Sequence, residues 1–269
     1  MLRACAGSFA LVLFVLWPAA DGWCWTDATR TRMIQDALKV TPPALRSVFE
    51  RYDRDLMRGM IDPSSHETEE VHYQHGTPGE GLAAVAVNGK LSEARALLMG
   101  RRSLKKFTYD MGVLAHLSAD VSFPLNASDA DPREPRYREA YRSYVESKLP
   151  RIPFVLDRQP SPELDRGDVR AFVMQSARSA ARDYATIGPA FKDDGTPSSP
   201  DALDERSLPY GVASLSYSRA VNDIVRLWRH LWTSVNGDVS GTPYVDAPPP
   251  DAKAPGRSTG SNLPAAGDP

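Results

Sequence analysis

A chain of 269 residues, 42% hydrophobic and 25% charged, has the length and composition of one globular domain with room for tails. Its formal net charge is −2, so no charge bias marks out a surface for nucleic acid or another polyanion, and partners cannot be inferred from charge.

The N-terminus reads as a secretory signal peptide. Arg3 supplies the positive region, residues 9–17 form an unbroken apolar run, and Ala20 and Gly22 place small residues before a cleavage point at Trp23. The run is too short for a lasting membrane anchor, and no later stretch is long enough to be one. Cleavage removes Cys5 and leaves Cys24 alone, so the mature chain is expected to form no internal disulfide. A domain of this size holds a core without one.

The mature chain then reads as helix after helix. Thr26 or Asp27 caps a first helix with an apolar stripe at Met33, Ile34, Ala37, Leu38 and Val40. Pro42 and Pro43 end it and open a second helix, whose apolar positions run at spacings of three and four to about Gly59. Residues 61–78 are polar and irregular and hold Asp62, His66, His72 and His75. Residues 81–98 form one helix or a pair broken at Asn88-Gly89. From about Ser103 an apolar helix runs to Pro124, which cannot continue the hydrogen-bond ladder. Residues 136–149 are helical, with Tyr137, Tyr141 and Tyr144 on one face. Residues 162–187 read as one long helix despite Gly167, and 210–235 as the last. No strand alternation of any length is present. The expected fold is all-α, a compact helical bundle over residues 23–235. Signal peptide 1–22 precedes it, and a Pro/Gly/Ser-rich tail at 236–269 with little that can form a core follows it.

The helix ending at Pro124 carries the chemistry. His116 and Asp120 are four residues apart and so share a face, while Met111, Val113, Leu114, Leu117 and Val121 crowd around them. A buried carboxylate needs a partner. One reading is a His–Asp hydrogen bond in the core. The other is a metal site, since imidazole and carboxylate are both zinc ligands. The loop before it holds three of the five histidines of the chain, either as a solvated loop or as a ligand-bearing one packed on this helix.

The order of these features resembles the zinc-dependent phospholipase C and S1/P1 nuclease superfamily: a Trp after the cleavage point, a short amphipathic helix, the turn 59–63, the pair His72-Tyr73, then His116-x-x-x-Asp120 leading into Phe123-Pro124-Leu125. The resemblance covers residues 23–235 in layout and is most specific at 107–127. It implies a secreted or periplasmic all-α hydrolase of phosphoesters with a cluster of up to three zinc ions. It further implies Trp23 (or Trp25, if cleavage falls two residues later), Asp62, His72, His116 and Asp120 as ligands, with Asp120 bridging metals and Asp62 able to take a proton from attacking water. His66 or His75 replaces His72 if the loop register differs. The sequence departs from the family pattern at three places. Arg30 stands where an early histidine is expected, Asn126 stands at the histidine of the P-[LM]-H turn, and residues 134–146 contain no histidine, with Tyr137 and Tyr141 or Arg138 and Arg142 at the corresponding positions. One ion is therefore expected, with a phospholipid or other phosphoester as substrate and transient contact with a membrane surface. A non-catalytic binding or structural descendant and an S1/P1-type nuclease are the alternatives. Sequencing the exported protein is expected to read Trp23-Cys24-Trp25; a start upstream, with the signal retained, would remove the terminal amino group as a ligand.

Overall fold

The computed structural model describes residues 24–62, 68–77 and 80–242. The signal peptide, Trp23, His66 and the tail from 243 onward lie outside them. Nine α-helices are described: α1 (Asp27–Val40), α2 (Pro43–Arg51), α3 (Asp53–Ile61), α4 (Ala83–Met99), α5 (Leu104–Val121), α6 (Glu134–Lys148), α7 (Pro162–Asp165), α8 (Val169–Tyr184) and α9 (Leu208–Ser234). Among the described residues the only β pairing is two isolated bridges, Gln74 with Gly81 and Phe191 with Pro197. The fold is all-α, as expected.

The boundaries follow local chemistry. Thr26 caps α1 by accepting a hydrogen bond from the Thr29 amide, and Ser103, Asp168 and Ser207 do the same for α5, α8 and α9. Two expected helices are in fact broken. The predicted second helix divides at Tyr52, whose backbone (φ −123°, ψ 37°) leaves the helical region, giving α2 and α3. Residues 162–187 divide at Gly167, which adopts φ +75°, a conformation nearly free for glycine alone, so that Asp168 can cap α8. Asn88-Gly89, by contrast, lies inside the single helix α4.

Helix α5 is the axis of the molecule. Every residue from Asp110 to Val121 is buried, because α1, α3, α4, α8 and α9 all pack around it. Trp228 on α9 donates its indole N–H to Met111 O at 3.1 Å, and Trp25 donates to Ala119 O at 2.8 Å. The second bond ties the start of the described chain to the end of α5. A further bond, from the Tyr217 hydroxyl to Asp36 Oδ2 at 2.7 Å, joins α9 to α1.

Helices α3 and α5 meet main chain to main chain. A Cβ at Gly112 would lie 2.2 Å from Leu56 O, and one at Gly59 would lie 2.1 Å from Tyr109 O. Only glycine at both positions permits this crossing. Gly112→Ala is expected to destabilise the protein by about 1–3 kcal/mol through overpacking, read as a lower urea midpoint. An unchanged midpoint would mean that the helices have room to separate.

Candidate metal centre

The close crossing of α3 and α5 has a direct chemical result. The last carbonyls of a helix lack partners inside it. Met60, one residue from the end of α3, has such a carbonyl, and it accepts a hydrogen bond from His116 Nδ1 at 2.7 Å. That bond makes Nδ1 the donor to the carbonyl and turns Nε2 inward. Asp120, one turn on, presents Oδ2 at 3.1 Å from His116 Nε2. His72 enters from a 3-10 turn at Glu69–His72, with Nδ1 at 2.9 Å from Asp120 Oδ2 and 3.2 Å from His116 Nε2. The three ligand atoms thus form a nearly equilateral triangle, fully buried.

The two oxygens of Asp120 have different partners. Oδ2 faces the histidines, and Oδ1 accepts from Arg30 Nη2 of α1 at 2.8 Å, in an ion pair closed to solvent. Burial alone would push the Asp120 carboxyl up; Arg30 first, then His116 and His72, hold it well below the usual carboxylate range. Asp120 is therefore an anion in the core, matched by one guanidinium.

Asn126 organises the other wall. It follows Pro124 in a 3-10 turn, and its Nδ2 donates to His72 O at 3.1 Å, to Asp120 O at 3.2 Å and to Cys24 Sγ. Its Oδ1 accepts from Arg138 Nη1 at 2.8 Å, and Arg138 also donates to Leu125 O at 2.6 Å and pairs with Glu134. Burial, with Asp120 nearby, drives the Cys24 thiol far above its ordinary pKa, so it stays protonated and is a poor ligand at neutral pH.

Of the sequence-predicted residues, His72, His116 and Asp120 are brought together, and they form the one group of this kind among the described residues. Asp62 is not in that group: it stands at the C-terminal cap of α3, with its carboxylate 3.4 Å from Arg58 Nε. His75 pairs with Glu80 on a more exposed part of the loop, and Trp25 spends its indole on Ala119. At the two alternative pairs on α6, Tyr137 and Tyr141 point into the core while Arg138 reaches the site and Arg142 pairs with Glu139. Sequence reasoning placed Arg30, Asn126 and Arg138 only as departures, without a role. A signal was available for Arg30: a cation on the apolar stripe of α1, four residues after the cap and three before Met33, needs a buried anion.

A tetrahedral zinc ion with bonds of about 2.0–2.1 Å requires ligand atoms roughly 3.3 Å apart. The 2.9, 3.1 and 3.2 Å edges of the triangle come close to that, and the Met60 bond supplies the supporting contact that fixes the His116 tautomer. The donors fit one ion. Among the described residues, Arg30, Asn126 and Arg138 surround this group with hydrogen bonds and ion pairs of their own. A cavity of about 380 Å³ adjoins the centre, bounded by His72, Tyr73, Asn126, Glu134 and Arg138 among others.

No protein-family model matches the sequence, and no curated protein matches it. Solved structures do. The alpha-toxin of an avian strain of Clostridium perfringens is similar with a TM-score of 0.60 at 13% identity, over 82% of this chain and 66% of that one. The alpha toxin of Clostridium absonum gives 0.59 at 12% identity, over 80% of this chain and 67% of that one. The chain spans about two thirds of the length of these proteins, and the likeness is one of fold: an all-α bundle of the phospholipase C/P1 nuclease type.

Asn126→Ala removes the amide that joins His72, Asp120 and Arg138. It is expected to cost about 1–3 kcal/mol in denaturant unfolding by leaving buried polar groups unpaired, with helical circular dichroism unchanged. A neutral result would show that Arg138 finds another acceptor.

Proposed function

We propose that the chain is an exported phosphoester hydrolase of the phospholipase C type that works with a single zinc ion held by His72, His116 and Asp120. Asp62 and the amino group of Trp23 are its further candidate ligands. The observation that supports this reading is the triangle of Nδ1, Nε2 and Oδ2 with edges of 2.9–3.2 Å. Zinc bound there supplies a water with a pKa near about 7 and offsets charge on a phosphoryl group.

The residues of the chain do the rest. Met60 O holds the His116 proton at Nδ1 and keeps Nε2 turned inward. His72 accommodates a cation by shifting its proton from Nδ1 to Nε2, a buried nitrogen with no partner among the described residues. Asp62, two residues beyond the carbonyl that orients His116, is the proposed acceptor of a proton from the attacking water. The cavity of about 380 Å³ is of a size for a small phosphoester head group, which leaves any lipid chains at a membrane surface. No helix among the described residues is long and apolar enough to cross a membrane.

A second reading, a non-catalytic descendant of the fold, is favoured by one observation. Arg30 with Asp120 and Arg138 with Glu134 make the centre electrically balanced with no ion added. Elemental analysis of the mature protein, dialysed without chelator, separates the two. About one zinc per chain, lost in His116→Ala and in His72→Ala, is expected. Hydrolysis is then expected on phospholipid vesicles or a simple phosphodiester, and not on single-stranded DNA or RNA; the reverse preference would favour the nuclease alternative. No metal under zinc-replete conditions would end the first reading, and about three ions per chain would end the single-ion one.

A further inference from the structure

We infer that Arg30 is a resident cation that takes the place of a metal ion at Asp120. It keeps the centre assembled in the metal-free protein and limits the centre to one ion. The limit on ion number rests on the single-zinc reading; the assembly of the metal-free centre does not.

Arg30 lies in the first turn of α1, ninety positions before its partner, and both side chains are closed to solvent. Its Nε is buried with no partner among the described residues, so the guanidinium engages its surroundings mainly through the Asp120 bond. Nothing about helix formation calls for an arginine on that face, where Met33, Ile34 and Ala37 pack into the core. Its presence is accounted for by the anion it meets. The bond also divides the labour of the carboxylate: with Oδ1 taken by Arg30, only Oδ2 is left for a cation at the histidines. A second ion bridging through Oδ1 would have to displace the guanidinium or share a buried site with it, and like charges there repel strongly. The other arginine nearby, Arg138, is engaged by Glu134, Asn126 and Leu125.

The full mature chain, treated with chelator and then titrated with zinc, tests this in four forms: wild type, Arg30→Met, Arg30→Lys and Arg30→His. The readouts are melting temperature and bound zinc. Wild type is expected to keep its melting temperature in chelator. Arg30→Met, which keeps bulk and loses charge, is expected to fall by about 10 °C without metal and to recover a larger share of that loss with zinc than wild type gains. Arg30→Lys, which keeps the charge, is expected to retain most of the stability. Arg30→His is expected to take up a second equivalent of zinc. Metal-free Arg30→Met as stable as wild type overturns the inference, as does an Arg30→Lys protein no more stable than Arg30→Met. If Arg30→Met does not accumulate, Arg30→His expressed with and without zinc carries the test: folding only with zinc supports the inference, and failure in both overturns it. Wild type that binds no zinc defeats the single-zinc reading alone, while the metal-free comparison of the Met and Lys variants still decides the assembly role. Arg30→His bound to no more zinc than wild type removes the limit on ion number.

Discussion

An ionised carboxylate in the dry centre of a protein is tolerable only if opposite charge and hydrogen bonds surround it. Asp120 is such a group, and the arrangement of the molecule around it can be followed partner by partner. The Arg30 guanidinium brings α1 against α5. His116 rises from the same helix one turn earlier, and His72 arrives on a short 3-10 turn between α3 and α4. The backbone carbonyl of Asp120 is held by Asn126, which in turn recruits α6 through Arg138. Segments far apart in the chain are thus brought to one residue, each by a bond with a clear electrostatic reason.

The charges of that centre balance within the protein, Asp120 against Arg30 and Glu134 against Arg138. Around the triangle of His72, His116 and Asp120 stand a guanidinium, an amide and a second guanidinium, those of Arg30, Asn126 and Arg138. Each saturates the lone pairs or donors it meets. What is left without a partner there is small: the Nε of Arg30 and the Nε2 of His72, beside the triangle around Asp120 Oδ2. The triangle lies beside a cavity of about 380 Å³ that His72 helps to line.

Much of this was legible in the sequence. The all-α class followed from period and punctuation, and the pairing of His116 with Asp120 followed from a spacing of four on a helix. The clustering of histidines near residue 72 pointed to the loop that meets them. Three things were not legible. The breaks at Tyr52 and Gly167 depend on tertiary packing and on one backbone angle, which apolar periodicity does not report. The choice between the tyrosines and the arginines of α6 depends on how that helix is rotated, and two adjacent faces fit the same sequence. The partner of Asp120 was hidden because Arg30 is ninety positions away: its place on the apolar stripe of α1 calls for a buried anion, and spacing does not say which one.

The glycine crossing of α3 and α5 bears on how such a centre can change over evolutionary time. Because Gly59 and Gly112 let two main chains touch, the approach of the Met60 carbonyl to the His116 ring is set by the backbone crossing. The mould and its contents are then separable. Replacements at positions 30, 126 or 138 alter which groups are gathered at the centre without touching the crossing of α3 and α5.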